Sequence, residues 1–164
     1  MSSEKTLTHY VESYGDLLFH LCSSVLKNPL HAQIALKSIL RKIQATPAHR
    51  SFEVYERSWV LKIAYELLLQ FFKEHGYQIS AEEQIQLDSN PTIEQRFAHF
   101  DSYFHRLSME DQILLILKDQ LQLPYPEISG AMSMPVESLK MKRQLALRTL
   151  QDWLWGGRNL NDLF

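Results

Sequence analysis

The last third of the chain, residues 107–150, constrains the fold most strongly, because its apolar and turn residues together specify three successive helices. Ser108 and Asp111 have the spacing of a helix N-cap for the first of them. Residues 124–132 (PYPEISGAM) predict a short second helix, residues 133–135 (SMP) a tight turn, and residues 136–150 a longer third helix. Two consecutive helices joined by so short a turn have the spacing of a helix-turn-helix.

The third of these helices is strongly basic. Between Ser138 and Leu150 there are four basic residues and no acidic one. A basic helix that follows such a turn is suited to enter the major groove of DNA, and the alternative is a solvated basic face on an ordinary helix. Ser138, Met141 and Lys142 are candidates to reach base edges. The other candidates are Lys140 for phosphate or guanine, Gln144 for adenine and Arg148 for phosphate.

The composition predicts an all-α protein. Gly and Pro are scarce, at 5 and 6 of 164 residues, and 45% of the chain is hydrophobic. Apolar residues at helical spacing predict helices over residues 6–27, 31–43 and 53–74, and Ile93, Phe97, Phe100 and Phe104 mark one further helical face. We expect two helical domains joined by a linker. The predicted boundaries are an N-terminal bundle (1–76), a linker (77–91), a helix-turn-helix domain (92–155) and a tail (156–164).

The charge distribution limits where nucleic acid could bind. The net charge is −2, whereas a protein that coats DNA without sequence preference is usually basic. From Glu82 to Asp111 there are seven acidic residues and two basic ones. This acidic middle would repel phosphate, so DNA contact is expected only at the C-terminal end.

Several functional classes find no support in the sequence. Cys22 is the only cysteine, which excludes a disulfide framework within the chain and the usual zinc sites. Asp101 and His105 are a pair at metal-ligand spacing on one helical face, and they lack a third ligand. There is no phosphate loop, dinucleotide motif or assembled nucleophile, so we expect no enzyme, no metal and no cofactor. The polar N-terminus and the absence of a long apolar run predict a cytoplasmic protein without a membrane span.

Residues 107–150 resemble, without a gap, the promoter-binding region 4 of bacterial RNA polymerase sigma factors of the extracytoplasmic-function (ECF) group. The matching residues lie in the first helix of the motif, in the turn, and along the second helix: Leu123, Tyr125, Glu127, Ile128, Pro135, Val136, Ser138, Leu139, Lys140, Lys142, Ala146 and Leu150. Arg143 and Leu145 depart from the pattern, standing where the family has an apolar residue and frequently an arginine. The resemblance implies promoter DNA as a partner and no catalysis by the chain itself.

The N-terminal half resembles region 2 of the same family in Tyr14–Leu18, Asn28–Pro29 and Trp59–Ala64. The resemblance implies core RNA polymerase as a partner, contacted by the outer residues of the second helix, Gln33, Lys37 and Arg41, and an anti-sigma protein as a further partner. The stretch from Ala32 to Ser38 lacks the acidic residues that grip polymerase in the family, and Glu66 stands near where the family contacts DNA.

The leading expectation is therefore an ECF-type sigma factor that is divergent in region 2. The alternative is a sigma-like regulator or decoy that binds DNA or an anti-sigma protein without starting transcription. A third class, a helical interaction module whose basic helix binds no DNA, predicts that charge reversal at Lys140 and Lys142 changes nothing.

Overall fold

The computed structural model describes residues 7–46, 56–75 and 92–155, and within these ranges the chain is helical with no strand. The all-α prediction is confirmed. The predicted linker (77–91) and the tail (156–164) lie outside the described residues. The described helices are α1 (Leu7–Val25), α2 (Pro29–Ala45), α3 (Glu56–Glu74), α4 (Ile93–Ala98), α5 (Phe100–Phe104), α6 (Met109–Leu115), a π-helical turn (Ile116–Gln120), α7 (Tyr125–Met132) and α8 (Val136–Trp155).

Helix α2 begins two residues earlier than the predicted start at His31. Pro29 occupies the first helical position, where its missing N–H costs nothing because that group has no partner in the helix. Asn28 caps the helix, its side-chain oxygen accepting a hydrogen bond from the backbone N–H of Leu30 at 2.9 Å. The Asn-Pro pair therefore both ends α1 and starts α2.

The apolar face predicted from Ile93 to Phe104 is divided between two short helices. The backbone leaves the helical region at His99 (φ −108°, ψ 26°), which separates α4 from α5. Phe100 is 39% exposed, whereas Phe104 is buried. At the start of α4, Thr92 and Gln95 form a reciprocal capping box, with N···O distances of 2.9 and 3.1 Å.

Helix α6 begins at a confirmed cap, the hydroxyl of Ser108 accepting from the N–H of Asp111 at 3.1 Å. The buried amide of Gln112 holds the turn before it by donating to the carbonyl of Leu107 at 2.8 Å. At its other end α6 widens into the π-helical turn, and Gln122 follows in a left-handed conformation (φ 54°). These turns direct the chain back into α7.

The two halves of the chain share one apolar core. Helices α1 to α3 pack as a bundle, and α3 also packs along α7, the most extensive contact between elements. Residues from both halves are fully buried in the same cluster: Leu18, Ile39 and Leu61 with Ile113, Ile116 and Ile128. The ring of His105 also crosses between the halves, donating from Nε2 to the carbonyl of Ser24 at 3.0 Å. The predicted domain division stays a prediction, and its two units are in contact.

Polar bonds fix the position of α7 on α3. The guanidinium of Arg57 donates from Nε and Nη2 to the two carboxylate oxygens of Glu127, both at 2.7 Å. The hydroxyl of Ser58 donates to the backbone carbonyl of Glu127, also at 2.7 Å. A bidentate pair beside a buried hydroxyl specifies orientation as well as proximity.

Gly130 permits this close approach. A Cβ at Gly130 would collide with Oγ of Ser58 and lie 3.5 Å from the Cβ of Ser58. Gly15 on α1 differs, because a Cβ there would meet only a side-chain carbon of Val11 at 3.7 Å, an ordinary contact. Within the described residues no helix is both long enough and apolar enough to cross a membrane.

We expect Gly130→Ala to lower the free energy of unfolding by about 1–3 kcal/mol, because the added methyl overpacks the contact with Ser58. Gly15→Ala is the matched control and should stabilise the chain by up to about 1 kcal/mol through helix propensity. In a Ser58→Ala background the cost of Gly130→Ala should largely disappear, since the colliding oxygen is gone. Urea unfolding of the four variants measures this, and an equal cost in both backgrounds would refute the collision.

Candidate nucleic-acid interface

Helices α7 and α8 are joined by a tight turn at residues 133–135, as the sequence predicts. Helix α7 ends at Ser133, which adopts a left-handed conformation (φ 55°, ψ 42°), and the hydroxyl of Ser129 donates to the carbonyl of Met134 at 2.6 Å. Pro135 then precedes α8, and its carbonyl accepts from the N–H of Leu139 at 3.1 Å. The turn is therefore held by bonds to the helices on both sides.

Helix α8 packs against α4, α5, α6 and α7 through one apolar stripe, Leu139, Ala146, Leu150 and Leu154. Leu147 lies beside this stripe and is 37% exposed. It follows Ala146 directly, and consecutive helical residues point about 100° apart, so both cannot face the core centrally. The opposite face of α8 is open in the described part of the chain.

Five of the six predicted DNA-contacting residues are exposed: Ser138, Lys140, Met141, Gln144 and Arg148. Met141 is the most exposed apolar side chain on α8, at 64%. The helical period sets Ser138, Gln144 and Arg148 around it and puts Lys140 and Lys142 at opposite flanks. We call Ser138, Lys140, Met141, Gln144, Leu145 and Arg148 the exposed face of α8.

Lys142 is the exception among the predicted residues. Its ammonium lies 3.2 Å from a carboxylate oxygen of Glu110 and 3.1 Å from one of Asp111, both on α6. Partial burial by itself lowers the pKa of Lys142, but the hydrogen bonds and charges of Asp111 and then Glu110 outweigh it, so its pKa is raised overall. The ammonium is already neutralised within the protein, which lowers its attraction for phosphate.

Arg143 is also paired with an acidic side chain, in this case from the π-helical turn that follows α6. Its guanidinium makes a bidentate pair with Asp119 in the π-helical turn, with Nε–Oδ2 at 2.9 Å and Nη2–Oδ1 at 2.5 Å. The hydrogen bond that Arg143 donates to Asp119 is the largest cause of the raised pKa of Arg143. An apolar residue at position 143 would leave Asp119 without this partner.

Sequence reasoning missed an aromatic centre beside the exposed face. The ring of Tyr125, at the start of α7, has the ammonium of Lys118 at 4.4 Å and that of Lys140 at 5.8 Å from its centroid. Lys140 also lies 3.6 Å from Glu137, a surface pair of little energetic weight. The folded chain brings Lys118 to this point from the π-helical turn, and spacing along the sequence gives no signal of it.

The three residues predicted to contact polymerase lie together on α2. Gln33, Lys37 and Arg41 are exposed and follow one another at intervals of four, so they form one stripe. Two apolar neighbours on the same helix, Leu30 and Ile34, are 62% and 43% exposed. We call Leu30, Gln33, Ile34, Lys37 and Arg41 the α2 surface.

Chemically reactive groups are few in the described part of the chain. Cys22 is fully buried, and burial raises the pKa of its thiol to about 12, so it is not a poised nucleophile. Within the described residues no three His, Cys, Asp or Glu side chains come together as a metal site. Asp101 and His105 meet instead through a hydrogen bond between the ring Nδ1 and the backbone carbonyl of Asp101, at 2.6 Å.

No known family model matches this chain, and no curated protein is significantly similar to it in sequence.

We expect Lys142→Gln to destabilise the fold more than Lys140→Gln does. Removing the Lys142 ammonium leaves Glu110 and Asp111 facing each other without it, which should cost about 1–2 kcal/mol. Lys140→Gln removes an equal charge from an exposed position of the same helix and should change stability by less than about 0.5 kcal/mol. Chemical unfolding compares the two, and equal losses would mean that the ion pair with α6 contributes nothing specific.

Proposed function

We propose that this chain is an RNA polymerase sigma factor of the ECF type, which uses α7 and α8 as a helix-turn-helix to recognise promoter DNA. The observation that carries the proposal is the exposed face of α8. It follows a tight turn, it is free of carboxylates from Ser138 to Leu150, and it is covered by no other described element. Helices presented in this way dock in the major groove.

The α2 surface supports the second half of the proposal. It combines exposed apolar and basic side chains on a helix that contains no acidic residue. Exposed Leu and Ile side chains beside basic ones are typical of a surface that binds another protein. A helix face that contacts only solvent is usually polar. In the proposed role it binds core RNA polymerase and the exposed face of α8 binds DNA.

One alternative is favoured by a specific observation. Lys142 and Arg143, two of the four basic residues of α8, are neutralised by acidic residues of the same chain. This lowers the charge available for DNA, and the absence of acid from α2 suits an acidic partner. Both are consistent with a sigma-like regulator or decoy that binds DNA or an anti-sigma protein without initiating transcription.

Reconstitution with core RNA polymerase separates the two functions. A sigma factor should co-purify with the core enzyme and yield new run-off transcripts from fragmented DNA of the same host. Binding to DNA without polymerase binding would support the regulator. Failure to bind either DNA or polymerase would overturn both.

We expect the double variant Lys37→Glu/Arg41→Glu to weaken polymerase co-purification at least tenfold, because it reverses both charges of the α2 surface. Both residues are exposed, so the unfolding free energy should change by less than about 0.5 kcal/mol. Lys62→Glu/Lys73→Glu on α3 makes the same charge change at exposed positions elsewhere and should bind normally. If both double variants lose binding equally, the effect is one of net charge and the α2 surface is not the contact.

We expect Lys140→Gln to weaken duplex DNA binding and Arg143→Gln to leave it nearly unchanged. The two substitutions remove the same charge from the same helix, but Arg143 is bound to Asp119 and Lys140 is exposed. If Lys140 contacts phosphate, the slope of log affinity against log salt should fall by about 0.9. Fluorescence anisotropy at several salt concentrations measures both, and a larger effect for Arg143→Gln would contradict the assignment of the exposed face.

A further inference from the structure

Two apolar side chains occupy the centre of the exposed face of α8. Met141 is 64% exposed and Leu145 is 54% exposed. They are four residues apart, so their side chains point only about 40° apart around the helix axis and form one continuous apolar spot. The other exposed leucine of the helix, Leu147, points to a different side.

The surroundings of this apolar spot are polar and basic. The hydroxyl of Ser138 and the amide of Gln144 lie beside it, and Lys140 and Arg148 supply positive charge at its edges. The acidic residues of α8, Glu137 and Asp152, lie outside the stretch from Ser138 to Leu150. The face therefore suits a ligand with negative charge at its rim and apolar groups at its centre.

The major groove of DNA has this arrangement. Phosphates line its two edges, and the 5-methyl group of thymine is the apolar group displayed on its floor. Met and Leu have no hydrogen-bonding donor with which to read guanine or adenine, so at these positions only an apolar contact can discriminate between bases.

We propose that Met141 and Leu145 recognise the 5-methyl groups of thymines in the bound sequence. The inference rests on the proposed function, because it requires α8 to enter the major groove. The inference adds to that function the base that the helix selects, which is thymine. The surrounding Lys140 and Arg148 supply the attraction to phosphate that holds the helix in the groove.

Replacement of thymine by deoxyuridine tests the proposal, since it removes the methyl group and leaves every hydrogen-bonding group of the base pair in place. The full chain is first used to select duplexes from a random-sequence library. The selected duplex is then titrated with each thymine changed in turn to deoxyuridine. Burial of one methyl is worth about a fourfold change in affinity, so each contacted thymine should show a loss of that size.

Variants connect the loss to the two side chains. Met141→Ala and Leu145→Ala should weaken binding to the thymine duplex and abolish the thymine preference at one position each. Phe19→Ala is the matched control, because Phe19 is similarly exposed, at 51%, but lies on α1, outside both proposed binding surfaces. Both α8 positions are exposed, so thermal unfolding should show that the variants remain folded.

The outcomes separate the inference from the function on which it rests. A selected duplex that binds equally with thymine and deoxyuridine at every position would overturn the inference and leave DNA recognition standing. If the protein retains DNA from the library but enriches no particular sequence, the inference would also be overturned while DNA binding would stand. Failure to retain any duplex at low salt would overturn both. In that case the apolar spot would belong to a protein contact.

Discussion

The contact between α3 and α7 depends on the absence of a side chain at Gly130. Because no Cβ stands there, Ser58 can donate to the backbone of α7 and Arg57 can reach both oxygens of Glu127. This contact places the short helix α7 against the N-terminal bundle, and α8 is directed by the turn that follows α7. The orientation of the exposed face of α8 therefore depends on a contact made by a helix in the other half of the chain.

The charges of α8 fall into two groups because the helix has two environments. Lys142 and Arg143 lie toward α6 and the π-helical turn, where Glu110, Asp111 and Asp119 neutralise them. Lys140 and Arg148 lie toward solvent. Counting basic residues in the sequence treats all four alike, but only the second group adds long-range attraction for a polyanion. Glu110, Asp111 and Asp119 thus support the basic helix structurally.

Residues close together in the sequence determine much of the helical layout. The caps at Asn28, Thr92 and Ser108, the turn at Ser133 and the apolar stripe of α8 all follow from residues within a few positions of one another. Short-range hydrogen bonds and helical periodicity decide them. One helical face predicted from the sequence is not continuous in the structure: the backbone leaves the helical region at His99, between Ile93 and Phe104.

The sequence by itself determined that the described part of the chain is helical, that α6 begins at a cap on Ser108, and that a basic helix follows a tight turn near the C-terminus. Only the tertiary structure decided which basic side chains of that helix remain exposed and which are held by α6 and the π-helical turn. It also brought Lys118 to Tyr125 and Arg57 to Glu127, pairs that come from different helices. The physical reason is that caps and helical periodicity are local, whereas ion pairs and close helix packing join residues distant in the chain and exist only once the helices have docked.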